Sequence, residues 1–125
     1  MHPQPVAAEG MPPALGPYSQ AVRLGDLLFV SGQGGLDAAT GTLASGGFAG
    51  QARQAFTNVA RVLEAAGSDL GQVAKLTVFM ANADDFPALN ELFAEFFPSA
   101  PPTRSVPIVQ LPRGLLISIE AIAAA

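Results

Sequence analysis

Apolar and polar residues follow several distinct rhythms along this 125-residue chain, and each rhythm predicts an element. Residues 19–24 and 27–31 are apolar-rich runs separated by Gly25-Asp26, the signature of a β-hairpin. The glycine-rich stretch 32–41 carries turn chemistry, with room for a short strand pair around Leu36 and Leu43. After Gly46-Gly47, apolar positions return at three- and four-residue spacing: Ala52, Ala55, Phe56, Val59, Val62, Leu63 and Ala66. They mark one face of a helix. Gln51, Arg53, Gln54, Asn58, Arg61 and Glu64 fall largely elsewhere, and Gly67 stands where a left-handed cap would close the helix. The run 73–80 is β-branched and apolar with Lys75 as its only charge, which predicts a strand buried on both faces. Asn82 or Asp84 is placed to cap a second helix, with Phe86, Leu89, Leu92, Phe93 and Phe96 as its apolar face and Pro98 as its end. Pro101-Pro102 punctuate a loop before an extended run, 103–111. In the last strand, 115–123, Leu115, Ile117, Ile119 and Ala121 share one face, and Leu116, Ser118, Glu120 and Ile122 share the other. The first 17 residues hold five of the eleven prolines, so 1–14 reads as an irregular lead-in.

The predicted order is hairpin, helix, strand, helix, strand, strand, which makes one α+β domain over residues 1–125. Two helices cover only one face of a five- or six-stranded sheet, and the other face then exposes apolar side chains unless another chain covers it. Composition sharpens this expectation. Half the residues are apolar and 13% are charged, against a usual charged share of about 25%. A core is amply supplied and the surface is poor in charge, so the chain is expected to form an oligomer. Disorder is excluded by the same numbers. No apolar run approaches the ~20 residues of a membrane span, and Met1-His2-Pro3-Gln4-Pro5 does not open a signal peptide. A cytoplasmic location with no membrane partner is expected.

Absent residues restrict the chemistry. With no cysteine, disulfides, thiolate metal sites and cysteine nucleophiles are excluded. The one histidine, His2, lies in a Pro-flanked terminus, which removes Ser-His triads, histidine bases and any His-built zinc site. Net charge is −4, and the six cations, Arg23, Arg53, Arg61, Lys75, Arg104 and Arg113, are scattered. Nucleic-acid binding needs them clustered, so no nucleic-acid partner is expected. What remains is carboxylates, arginine, one phenol, hydroxyls, backbone groups and water.

Arg104 stands at the start of an apolar run after Pro101-Pro102-Thr103, a placement suited to gripping a small carboxylate with two parallel hydrogen bonds. The alternative is pairing with a surface carboxylate. Glu120 shares a face with Ser118 on an otherwise apolar strand; it is a candidate proton shuttle, or else an ion-pair member or an edge charge that blocks aggregation. Tyr18, after Gly16-Pro17, offers a hydroxyl to a ligand or packs as a ring. The loop Ser31-Gly32-Gln33-Gly34-Gly35 has free amides for an anion but lacks phosphate-loop spacing, and no Lys-Ser or Lys-Thr pair follows. Phe86, Phe93, Phe96 and Phe97 read as core, and Asp84-Asp85 as a helix start and no metal site.

Taken in order, several segments resemble a known family. They are Gly16-Pro17-Tyr18-Ser19-Gln20-Ala21, Ser31-Gly32-Gln33, Gln51-Ala52-Arg53-Gln54-Ala55-Phe56-Thr57-Asn58 and Glu64-Ala65-Ala66-Gly67. Lys75-Leu76-Thr77-Val78-Phe79, Asn90, Thr103-Arg104-Ser105, Leu111-Pro112 and Ile119-Glu120-Ala121-Ile122-Ala123 continue the series. The chain is similar to the RidA (YjgF-type) family of reactive-intermediate deaminases, formerly labelled endoribonucleases or translation inhibitors. The resemblance implies a chorismate-mutase-like α+β fold, with a mixed β-sheet of five or six strands and two helices on one face. It also implies a homotrimer with a site in each subunit cleft. Family members hydrolyse 2-enamine and 2-imine acids to 2-keto acids and ammonia without a cofactor, so a small 2-imino or 2-keto acid is the implied partner. In those terms Arg104 matches the carboxylate anchor, and Tyr18, Ser31, Gly32 and Asn90 match positions lining or supporting the cleft.

The resemblance also has departures. Counting from Leu111-Pro112, Ser118 stands where deaminating members carry a glutamate that assists water, and Glu120 matches the second glutamate of the C-terminal pattern. Two residues apart on a strand is ~6.6 Å, so Glu120 replaces that group only through a bridging water or a shifted substrate. Val106 stands about where some members have cysteine, in a run one residue shorter than usual, and Gly34-Gly35 replaces an Ile-Pro pair. An imine deaminase using Arg104, Ser118 and Glu120 is therefore expected. The competing reading is a 2-keto acid binding module, and nuclease activity is disfavoured by the dispersed cations.

Overall fold

The computed structural model describes residues 1–7, 9 and 13–125, so positions 8 and 10–12 of the lead-in lie outside the described residues. Six strands and two α-helices alternate as β1 (Gln4–Pro5), β2 (Ala21–Leu24), β3 (Leu27–Gly34), α1 (Gly47–Ala65), β4 (Val73–Met80), α2 (Phe86–Phe96), β5 (Thr103–Ser105) and β6 (Ile117–Ala124). They form one sheet in the order β1-β2-β3-β6-β4-β5. Only the β4–β5 pairing is parallel, so the sheet is mixed. The β2–β3 hairpin turns at Gly25, whose φ is +58°. Leu36 and Leu43 form the expected short bridge, and Gly67 adopts the left-handed conformation (φ +84°) that stops α1. Part of the lead-in is regular after all, because β1 pairs with β2.

Both helices lie on one face of the sheet. Ala52, Ala55, Phe56, Val59, Val62 and Leu63 of α1 are buried with Leu28 and Val30 of β3, Leu76, Val78 and Met80 of β4, and Ile117, Ile119, Ala121 and Ala123 of β6. Phe56 joins the two helices, stacked at 4.9 Å on Phe96 and edge-on to Phe93 at 6.2 Å. Each large apolar side chain removed from water here contributes about 1.5–3 kcal/mol.

The departures from expectation have physical causes. β4 is buried on one face only: Val73, Leu76, Val78 and Met80 point to the helices, while Ala74 and Lys75 are exposed and Thr77 and Phe79 are half-buried. Two helices cannot cover both faces of six strands. The run 103–111 is strand only over β5, after which a single bridge joins Met80 to Ile108. Pro107 has no N–H to continue a ladder, although its carbonyl accepts from the Met80 N–H at 3.0 Å. A left-handed Arg113-Gly114 turn delays the last strand to Ile117. Before α2, Ala83–Asp85 forms a 3-10 turn without a side-chain cap, and Pro87 occupies the first helical turn. No described helix is long and apolar enough to cross a membrane. The sheet face away from the helices leaves Leu27 44% and Phe29 38% exposed.

Candidate active site

Register assigns each candidate residue to a face. Arg104 of β5 pairs with Leu76 of β4, and Leu76 pairs with Ala121 of β6, so Arg104 projects to the helix side. There it meets one stripe of α2, because Phe86, Asn90 and Phe93 are four and three residues apart and share a helix face. The guanidinium carbon lies 4.7 Å from the Phe93 ring centroid and 5.3 Å from that of Phe86. Arg104 Nη2 donates to Asn90 Oδ1 at 2.6 Å. Two ring contacts and one short hydrogen bond therefore hold the guanidinium in place. Its other terminal nitrogen, Nη1, is buried without a hydrogen-bond partner, alone in this among described side chains. A charged donor left without an acceptor is costly, and an incoming carboxylate oxygen would relieve that cost. No carboxylate pairs with Arg104: the one described ion pair is Arg53–Glu95, at 3.0 Å on the surface.

A second group gathers on the opposite face, where β3 and β6 meet. The ladder runs from Val30↔Ala121 to Gln33↔Ile119, so Ser31 and Gly32 together oppose Glu120 in a β-bulge. Ser31 is fastened twice: its N–H donates to the Gln20 carbonyl at 2.9 Å and its hydroxyl to the Ser19 carbonyl at 2.6 Å. With that proton committed, Ser31 Oγ can only accept from a ligand. Gly32 lies directly against Ser118, since a Cβ built on it would sit 2.8 Å from Ser118 Oγ. Ser118 is half-buried, opposite Phe79. Glu120 is exposed opposite Thr77; it makes no ion pair among the described residues, and it is not on an edge, because β6 lies in the middle of the sheet. Ser31, Lys75, Thr77 and Glu120, with Phe29 and Val22, line a concavity of about 310 Å³. Tyr18, 45% exposed, shares a smaller recess with Gly32. Its hydroxyl accepts from the Leu15 N–H at 3.1 Å, which leaves its own proton free to donate.

The predicted residues thus fall into two halves. Ser31, Gly32, Ser118 and Glu120 come together around the bulge, with Tyr18 in the adjoining recess at Gly32, and Arg104 and Asn90 come together at β5 and α2. The halves do not meet within one chain. They project from opposite faces, and β4 separates β5 from β6 by two strand spacings, roughly 9–10 Å. Val106 is half-buried and packs against the core just beyond β5. The sequence pattern alone does not show the part played by Phe86 and Phe93, whose spacing reads as core; Phe86 is 40% exposed beside Arg104. The available signal was their spacing with Asn90. Gln51 and Asn58, expected away from the core face of α1, are buried at 6% and 1% exposure.

The sequence model of the family described as Endoribonuclease L-PSP matches residues 9–125. A 2-iminobutanoate/2-iminopropanoate deaminase of Capra hircus is 44% identical over 113 residues, covering 90% of this chain and 82% of that protein. The crystal structure of RidA from an Antarctic Psychrobacter species superposes with a TM-score of 0.93 at 38% identity, covering 98% of this chain and 99% of that one. The structure of E. coli TdcF with bound serine superposes with a TM-score of 0.91 at 36% identity, covering 98% of each chain.

Proposed function

We propose that this chain, which belongs to the endoribonuclease L-PSP (YjgF/Rid) family, hydrolyses small 2-imino and 2-enamine acids to 2-keto acids and ammonia. The observation that carries this reading is the immobilised guanidinium of Arg104 with Nη1 buried and unpartnered. It is a preformed carboxylate anchor. The deaminase activity named for the goat relative and the serine bound to TdcF match it in ligand class, since both ligands carry a carboxylate beside a nitrogen-bearing carbon.

In the reaction water adds to the imine carbon, forming a C–O bond and a 2-amino-2-hydroxy acid. The hydroxyl proton then passes to the nitrogen as the C–N bond breaks, so that ammonia leaves and the hydroxyl oxygen becomes the keto carbonyl. Arg104 and Asn90 hold the carboxylate and so fix the carbon that water attacks, an effect of position. On the bulge half, Ser31 accepts a hydrogen bond from water or from the nitrogen, while Tyr18 donates. Ser118 and Glu120 offer the remaining oxygen atoms near that path.

A site using both halves needs two copies of the chain. Its contact joins the β5–α2 edge of one copy to the open face of another, so the two surfaces differ. Such heterologous contacts give a ring where the rotation between copies closes and an open filament where it does not. The partly exposed Leu27 and Phe29 favour burial of the open face, and a cyclic homotrimer is the assembly we assign.

The test is hydrolysis of 2-iminobutanoate, released in situ by a pyridoxal-phosphate dehydratase and trapped competitively with semicarbazide. The wild type accelerates ketone release and Arg104→Ala abolishes it with assembly intact; full activity in Arg104→Ala contradicts the assignment. Ser118 carries a second reading, a module that binds 2-keto acids without turnover. If the wild type binds 2-ketobutyrate and does not accelerate hydrolysis, while Ser118→Glu does, that reading replaces the first.

A further inference from the structure

Helix α1 reaches the site only through Asn58, which lines the small recess of Tyr18 and Gly32, and two of its buried side chains hold the strands that carry the rest. Asn58 Nδ2 donates to the Gly34 carbonyl at 3.1 Å and to the Leu36 carbonyl at 2.8 Å. Its Oδ1 accepts from Gln54 Nε2 at 2.9 Å, which fixes the orientation of the amide. Seven residues earlier, Gln51 Oε1 accepts from the Leu116 N–H at 2.9 Å and its Nε2 donates to the Gly114 carbonyl at 3.3 Å. One amide thus grips the chain where it leaves the bulge, and the other grips it two residues before Ser118. Gly34 is also the register partner of Ser118.

We infer that Asn58 is a positioning residue, which sets the Ser31–Gly32 bulge against Ser118 and thereby the path of water, without touching the substrate. The inference rests on the deaminase reading of this site. An amide inside an apolar core is tolerated only when its polar atoms are bonded, and both of its donors go to carbonyls at the end of the bulge. These bonds act beside the Gly34–Ser118 ladder pair and the bond from Gln33 Nε2 to the Ser31 carbonyl at 3.1 Å. Asn58 makes no hydrogen bond to β5 or α2, so it bears on the water half of the site and not on the carboxylate anchor.

The test uses the full-length protein with Asn58→Leu, which removes both donors at similar size, and Gln54→Met, which leaves Asn58 in place but frees its amide to turn. Displacement by about 1 Å at a reacting centre costs up to about 10²-fold in rate. Asn58→Leu is expected to lower kcat for 2-iminobutanoate by about tenfold or more, with Gln54→Met in the same direction and smaller. KM changes less than about twofold in both, because Arg104 and Asn90 are undisturbed. Amide NMR shifts move at residues 31–36 and 118 and stay fixed at residue 104. Unchanged kcat in folded variants, or kcat and KM altered in parallel, overturns the inference. If Asn58→Leu does not fold, Gln54→Met decides by the same criteria. If the wild type shows no turnover, the deaminase reading fails separately, and the shift pattern alone decides: outside helix α1 itself, confinement to residues 31–36 and 118 supports positioning, and any other pattern overturns it.

Discussion

Gly32 and Ser118 face each other across the β3–β6 bulge with no room for a side chain between them: a Cβ on Gly32 would lie 2.8 Å from Ser118 Oγ. The bulge and Ser118 are therefore one packed unit. Gly32→Ala is expected to destabilise the protein by about 1–2 kcal/mol, the ordinary cost of overpacking. Ser118→Ala should recover most of that loss in the double variant, because the clashing atom is then gone. A double-mutant cycle by urea unfolding measures it; additive losses contradict the contact.

The proposed carboxylate anchor depends on a neutral partner. Asn90 accepts from Arg104 Nη2 at 2.6 Å without competing for the guanidinium charge. Asn90→Asp places a carboxylate there, which pairs with Arg104 and takes the place of the ligand. Calorimetry with 2-ketobutyrate should show affinity falling by about tenfold or more, as expected for about 1.4 kcal/mol. Asn90 is exposed, so the melting temperature should not fall. Retained affinity in Asn90→Asp would mean that the ligand does not use this guanidinium.

The core contact that joins the helices is predicted to be the most sensitive to truncation. Phe56 is fully buried, stacked on Phe96 and edge-on to Phe93, which itself lies under Arg104. Phe56→Ala should cost about 3–5 kcal/mol, read as a lowered urea midpoint. A loss below 1 kcal/mol would place the centre of the core elsewhere.

Much of this architecture is legible in the residues. The Gly25-Asp26 turn, the three- and four-residue apolar spacing from Ala52 to Ala66 and the Gly67 stop mark the hairpin and α1 because each depends on local geometry. The alternation Ile117, Ile119, Ala121 likewise marks the buried face of β6. What depends on long-range register is not legible. The opposite orientations of Arg104 and Ser118 follow from β5 pairing with Leu76 and β6 pairing with Phe79, which no local pattern encodes. β4 reads as buried on both faces because Ala74 and Phe79 are apolar in composition, while their exposure depends on how many helices exist to cover them. Asn58 and Gln51 looked solvated because amides usually are. Their burial is intelligible only once the carbonyls they bond, at the end of β3 and in loops more than twenty residues away in sequence, are in place.

The most direct single measurement is a crystal structure of the assembled protein with 2-ketobutyrate bound. The predicted result is a carboxylate on Arg104 Nη1 and Nη2 of one copy, with the keto carbon facing Ser31 and Ser118 of a second copy. A ligand held by one copy alone, or one that leaves Arg104 Nη1 without a partner, would contradict the shared site.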